Sequence, residues 1–174
     1  MNAREMVIFS LNQSRSYLDR SLEGLTQEDI TWKPSEHSNS IAFILWHVTR
    51  VEDYFFTRVL QGKTALYESD SWMEKLGTPP DSGYGYTLEQ LQSWPVPKLE
   101  DLRGYADAVR QSTLAYIEQL TPEKMLELVR PDRPPDTIGQ ILIRISTEIA
   151  LHTGQIDYLR GLRTGSVTTE APQY

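Results

Sequence analysis

The stretch 137–163, TIGQILIRISTEIALHTGQIDYLRGLR, constrains the fold more than any other part of the chain. Its apolar residues recur at the spacing of an amphipathic core helix, at Ile138, Ile141, Ile145, Ile149, Ile156 and Leu159. At about 100° per residue, His152 lies roughly 20° and Glu148 roughly 60° from Ile145 around the axis. The spacing therefore predicts a helix that directs a carboxylate and an imidazole, one turn apart, towards the core.

Three further segments have helical spacing and plausible ends. They are predicted at about Asn2–Gly24, from Asn39 or Ser40 to about Gln61, and at about Lys98–Leu120. A long Gly- and Pro-containing connection, 62–97, joins the second helix to the third and is the kind of loop that often has a function. We expect short helical turns in it at Ser71–Leu76 and Leu88–Trp94. Its aromatic side chains are predicted to anchor it on the bundle, at Trp72, Tyr84, Tyr86 and Trp94.

A second punctuated link, TPEKMLELVRPDRPPD, leads from the third helix to the fourth. Its prolines prevent a helix from continuing through it. Four helices with one long crossover between the second and third predict an all-α four-helix bundle. We expect residues 1–174 to form one domain.

Charge and composition exclude several classes of function. The net charge of -7 argues against a surface that holds nucleic acid or anionic lipid. The absence of cysteine excludes disulfides, thiolate nucleophiles and thiolate metal sites. The N-terminal residues do not resemble a signal peptide, and the longest apolar run is too short to span a bilayer. A cytoplasmic protein is the expectation.

Two of the three histidines fall on predicted core helices and suggest a metal site. His47 lies within the apolar segment of the second helix, and Glu148 and His152 lie on the fourth. Metal sites in bundles are built from inward-facing side chains of neighbouring helices. Two imidazoles and one carboxylate would hold a divalent cation and leave positions open for water or substrate. The cation would also offset the cost of burying Glu148.

Simpler interpretations of the same residues stay open. The alternative is that each histidine is a hydrogen-bonded core residue, with Glu148 paired to a buried Arg or Tyr. Tyr54, two turns after His47, is a candidate substrate-binding residue, as a pocket wall or proton donor, or a plain core residue. Arg144 is placed to pair with Glu148 or to reach an anionic substrate, although a solvated arginine is the simpler expectation. His37 is expected to be solvated.

Two segments resemble the signature segments of the DinB/YfiT-like superfamily of metalloenzymes. They are SIAFILWHVTRVEDYF in the second helix and EIALHTGQIDYLRGL in the fourth. The combination of H-x-G-Q-I with an apolar-flanked histidine on the second helix is fairly specific. WKPSEHSNS resembles the loop that enters the second helix, and the similarity extends over essentially the whole chain.

The resemblance implies an up-down-down-up bundle with a divalent metal held near one end. His47 and His152 map to two of the ligands. The third ligand in much of the family is a histidine, and Glu148 occupies that position here. A carboxylate binds zinc, nickel, manganese or iron, so the metal's identity does not carry over.

The resemblance also implies candidate functions. Some members are thiol-dependent S-transferases or hydrolases, and members often form homodimers. A metal-dependent transferase that uses a low-molecular-weight thiol is the leading hypothesis, with a metal-dependent hydrolase as the second enzymatic one. A non-catalytic small-molecule-binding or stress-response protein is the alternative from another class. The sequence identifies neither the substrate nor a catalytic acid or base.

Overall fold

Four long helices form the frame of the computed structural model, which describes residues 1–130 and 136–165. They are α1 (Ala3–Leu22), α3 (Ile41–Asp53), α7 (Leu99–Glu118) and α9 (Ile138–Thr164). Shorter helices lie between them: α2 (Gln27–Thr31), α4 (Leu66–Ser69), α5 (Trp72–Leu76), α6 (Leu88–Ser93) and α8 (Pro122–Met125). The predicted all-α bundle is confirmed. The predicted extension of the domain through 131–135 and 166–174 lies outside the described residues.

Two local features differ from the sequence prediction. The second long helix does not stay α-helical to Gln61, because a π-helical turn, Tyr54–Val59, follows α3. Its hydrogen bond from Leu60 N–H to the Phe55 carbonyl, at 2.9 Å, spans five residues. In addition, the link before α9 contains two short antiparallel strands, β1 (Leu128–Arg130) and β2 (Asp136–Thr137).

Contacts between the helices fix their directions. Arg4 of α1 donates to the Glu118 carbonyl and Arg103 of α7 to the Leu22 carbonyl, so these two helices are antiparallel. Ser21 of α1 donates to Asp157 near the end of α9, so α1 and α9 are parallel. Helix α3 also runs against α1, because its first half packs in one core cluster with Leu18 and Leu22, whereas Val48 and the following Phe56 pack in another with Val7 and Leu11. Helices α3 and α7 therefore share a direction, which gives the up-down-down-up arrangement. Consequently α3 and α9 are antiparallel, and the start of α3 lies beside the end of α9.

The start of α3 is buried because almost every residue in it is apolar. Ile41–Trp46 and Val48 all belong to the buried core. The Ser40 hydroxyl caps the helix by accepting the Phe43 N–H at 3.2 Å. At the other helix of the pair, Thr137 and Gln140 form a capping box that begins α9. Both helices therefore enter the core with fixed ends.

The long crossover packs on the bundle through most of its predicted anchors. Trp94 is buried, and Trp72 and Tyr86 are partly buried against the core. Tyr84 was wrongly predicted as an anchor, since it is 90% exposed. Glycines at positive φ on both sides of Tyr84 turn the chain outwards there, which leaves its ring in solvent. None of the helices in the described parts of the chain is both long and apolar enough to cross a membrane.

Candidate metal centre

A cavity of about 710 Å³ lies between α3, the π-helical turn, the crossover and α9. Its size is within the usual range for small-molecule sites. Its titratable lining residues are His47, Arg50, Tyr54, Arg58, Asp81, Tyr84, Arg144, Glu148 and His152. The antiparallel pairing of α3 and α9 brings the two histidines together at one end of this cavity.

His47 is fixed by the crossover. Its Nδ1 lies 2.5 Å from the Ser82 carbonyl, and because a carbonyl only accepts, Nδ1 carries the proton. Nε2 is therefore the nitrogen with a free lone pair. Burial lowers the pKa of His47, against the opposing effect of the Ser82 hydrogen bond. The ring is thus held neutral and in the tautomer that metal-binding imidazoles use.

His152 is fixed in the same way by its own helix. Its Nδ1 lies 2.9 Å from Oε1 of Gln155, on the following turn. The two imidazole rings are nearly perpendicular, with centroids 5.0 Å apart. Nε2 of His152 lies 3.7 Å from Oε2 of Glu148. Each imidazole thus uses Nδ1 to contact an oxygen and leaves Nε2 for another partner.

The chemical types of the three donors suit a divalent ion. Their present positions, however, do not form a complete metal site. Imidazole nitrogens anchored through Nδ1, together with a carboxylate, are the donors of many Zn²⁺ and Fe²⁺ sites. Atoms that share a tetrahedral ion lie roughly 3.3 Å apart, given bonds of about 2.0–2.2 Å. The Glu148–His152 separation is close to that value. Even so, no group of three His, Cys, Asp or Glu side chains in the described residues is arranged to hold a metal ion.

Comparison with known proteins identifies the family of this chain. A family profile described as the DinB superfamily matches residues 10–156, which is most of the chain. This chain belongs to the DinB superfamily. The match includes the three candidate ligands, His47, Glu148 and His152. The resemblance stated from the two sequence segments is therefore confirmed.

A solved structure shares the fold of this chain. The crystal structure of a conserved protein from Enterococcus faecalis superposes with a TM-score of 0.85 at 23% identity. The alignment covers 95% of this chain and 99% of that one. At this identity the similarity establishes the fold. No curated protein matches the sequence.

Glu148 is more exposed than the sequence predicted. Its side chain is 44% exposed, so it is not a buried carboxylate that needs a cation. At roughly 60° from Ile145, it lies at the edge of the core stripe, where the cavity opens to solvent. Its role as a ligand in this DinB superfamily member stays a prediction, supported by its position beside His152.

The other predicted residues fall into three situations. Tyr54 lines the cavity and is 39% exposed, and its contact with a substrate stays a prediction. Arg144 also lines the cavity, but its guanidinium binds both carboxylate oxygens of Asp136 rather than Glu148. His37 is exposed, as predicted, and is not among the residues that line the cavity.

The sequence prediction missed two arginines and a loop carbonyl. Arg50 is 5% exposed and donates to the carbonyls of Pro80, at 3.0 Å, and Asp81, at 3.2 Å. It holds the part of the crossover that contacts His47 through Ser82. Arg58, on the π-helical turn, lines the exposed side of the cavity. The available signal was the spacing 47, 51, 54 and 58, which continues the His47 face of the helix.

Proposed function

We propose that this protein is a metal-dependent enzyme of the DinB superfamily, a transferase that uses a low-molecular-weight thiol. One observation carries the proposal: His47 and His152 are adjacent, anchored through Nδ1, and share a cavity with Glu148. Zinc, nickel, manganese and iron are all compatible with these donors. A divalent ion held there would lower the pKa of a bound thiol or water and polarise a carbonyl.

The chain's own residues prepare this site in three ways. Ser82 and Gln155 set the tautomers of the two histidines. Burial keeps His47 neutral, which makes its nitrogen a donor rather than a cation. Glu148 is exposed enough to swing towards both imidazoles, so it is the ligand that would complete the set. Apolar walls around the site reduce its contact with bulk water.

The choice of a thiol rests on the family and on composition. The chain has no cysteine, so the sulfur must come from a small cosubstrate. In the reaction, the thiolate sulfur forms a bond to an electrophilic carbon, and the leaving group departs with the bonding pair. The cavity volume is sufficient for a small thiol together with a second substrate.

Two other functions use the same residues. A metal-dependent hydrolase would activate water instead of a thiol at the same donors. A non-catalytic small-molecule-binding or stress-response protein is favoured by a different observation, the incomplete ligand set in the described residues. Such a protein would keep the cavity without needing the metal.

We also propose that the chain forms a homodimer through α9. Exposed apolar side chains follow one side of this helix, at Ile143, Leu151, Tyr158 and Leu162. A stripe of this kind is unusual on a surface that faces only water. Light scattering after gel filtration should give twice the 20.0 kDa chain mass, and Leu151→Glu should halve it. A monomeric wild type would exclude this interface.

Metal content tests the enzyme proposal directly. Untagged protein should contain about one divalent ion per chain by elemental analysis. Glu148→Ala and His152→Ala should each lose most of it. Glu118→Ala, which removes an exposed carboxylate from α7, should keep it. A wild type that stays metal-free after loading with zinc, nickel and manganese would overturn the proposed site and favour the binding protein.

Turnover then separates the two enzymatic functions. The loaded protein is assayed with cysteine or glutathione and 1-chloro-2,4-dinitrobenzene, from which the thiolate displaces chloride. Ester hydrolysis is followed in parallel without thiol. Thiol-dependent turnover that Glu148→Ala abolishes supports the transferase. Thiol-independent ester cleavage with the same mutational profile supports the hydrolase instead.

A further inference from the structure

The two ends of the cavity differ in chemistry. His47 lies midway along α3 and Arg58 eleven residues later, roughly 16 Å along the helix. On the antiparallel α9, His152 and Arg144 are eight residues apart in the opposite direction. The cavity therefore has a histidine end and an arginine end.

The walls between these ends are mostly apolar. Val51, Phe55, Pro80 and Ile145 line them, together with the ring of Tyr54. Such walls bind a ligand by its apolar body and offer little to a polar one. A ligand that fills the cavity would thus place an apolar body against them.

Most charged groups of the cavity already have partners. Arg50 is bound to carbonyls of the crossover, and Arg144 to Asp136. Asp81 accepts hydrogen bonds from Gly83 N–H and Tyr86 O–H, both at 2.7 Å. Glu148 is beside His152.

Arg58 is different. Its guanidinium has no hydrogen bond or ion pair with any residue of the described ranges 1–130 and 136–165. It is exposed and belongs to the cavity lining. The π-helical turn fixes its position, because the bond from Leu60 to Phe55 widens the helix where Tyr54, Phe55 and Arg58 face the cavity. Irregular turns of this kind often occur at functional sites.

We propose that the cavity binds an amphipathic organic anion, with an apolar body between the walls and a carboxylate on Arg58. A guanidinium presents parallel N–H donors that match a carboxylate. Arg58 also supplies the local positive charge that would attract an anion to a chain of net charge -7, whereas Asp136 offsets the charge of Arg144. Such an anion would be the substrate class of the proposed enzyme. Its role as a substrate rests on that proposed function, whereas its binding to the cavity does not.

The test compares two uncharged-body probes that differ only in the head group, 4-phenylbutyrate and 4-phenylbutanamide. Calorimetry or ligand-observed NMR measures the affinity of each probe for chelator-treated wild type, Arg58→Met and Arg58→Lys. Lys98→Met, which removes an exposed cation outside the cavity lining, is the matched control. Wild type and Lys98→Met should bind the carboxylate about ten- to a hundredfold more tightly than the amide.

Arg58→Met should bring this ratio to about one while leaving the amide's affinity unchanged, and Arg58→Lys should retain part of it. Equal binding of both probes by wild type, no binding of either, or a ratio that survives in Arg58→Met would overturn the proposal. So would a preference that appears only after metal is restored, since the ion would then recognise the anion.

Because the probes are measured without metal, a protein that fails to bind metal but discriminates through Arg58 would refute the proposed enzyme alone. Normal metal content without discrimination would refute the anion site alone.

Discussion

Arg110 of α7 and Glu52 of α3 form a buried two-pronged ion pair. Nε and Nη2 of the arginine donate to the two carboxylate oxygens at 2.8 and 2.9 Å. Nη1 donates to the Leu11 carbonyl of α1 at 2.5 Å, so one guanidinium joins three helices of the bundle. Both side chains are buried. The pair fixes how α1 and α7 sit against the helix that carries His47.

Removal of one partner should be costly because it leaves the other charge buried. Arg110→Met should lower the free energy of unfolding by about 3–5 kcal/mol, measured in urea. Arg110→Met combined with Glu52→Leu should be less destabilised than Arg110→Met alone. Lys124→Met, which breaks an exposed pair with Glu127, should cost less than about 1 kcal/mol. Equal effects of Arg110→Met and Lys124→Met would contradict the assigned role.

The bundle itself was predictable from the sequence. Apolar residues at three- and four-residue spacing predict helices whatever their neighbours are, and the caps at Ser40 and Thr137 mark two of the starts. The π-helical turn was not predictable in this way, because it depends on one shifted hydrogen bond within an otherwise continuous apolar pattern. The strands β1 and β2 were missed because they are too short to show a periodic pattern in the sequence.

The site was predictable only in part. Spacing placed His47, Glu148 and His152 on facing helices, and the structure brings all three to one cavity. The spacing did not reveal that Glu148 is half exposed. A residue at the edge of the apolar face of a helix is buried only if the neighbouring helices and loops extend far enough to cover it. The contact between Ser82 and His47 joins residues 35 positions apart, and a loop carbonyl leaves no mark in the sequence. Arg50 was overlooked because the crossover groups that it binds are also carbonyls.

Arg50 should control the order of the crossover segment 79–86. Its guanidinium stacks 3.7 Å from the Tyr67 ring centroid and donates to the carbonyls of Pro80 and Asp81. Arg50→Met leaves those carbonyls without their donor, at about 1–3 kcal/mol each. Amide hydrogen exchange in 79–86 should then accelerate about tenfold or more, while α7 changes little. Arg50→Lys should be intermediate. Unchanged exchange in 79–86 would show that Arg50 does not hold this segment.

Asp29 should make stability depend on pH in the acid range. Hydrogen bonds from Thr26, chiefly from its backbone N–H, and from Arg163 hold the pKa of Asp29 below its ordinary value of 3.8. A lowered pKa stabilises the fold above that value, and the stabilisation is lost as the pH falls through the folded-state pKa. Asp29→Asn should therefore destabilise the protein at pH 7, with a difference that shrinks below pH 4. As the control, Glu74→Gln, at an exposed site on α5, should show no such trend. A destabilisation by Asp29→Asn that does not change with pH would contradict the assigned role of the carboxylate.

Gly83 and Gly85 form a matched pair for testing the contact that orients His47. Both have positive φ, +74° and +72°, so alanine at either position is strained by about 1–2 kcal/mol. A Cβ at Gly83 would also lie 2.6 Å from Cζ of Phe43 and 2.8 Å from Cζ3 of Trp46, whereas Gly85 has open space. Gly83→Ala should therefore displace the adjacent Ser82 carbonyl. We expect it to be the more destabilised variant in urea and to lose the Nδ1-protonated tautomer of His47, measured by ¹⁵N NMR. Gly85→Ala should keep that tautomer, and identical spectra for the two variants would mean that Ser82 does not set it.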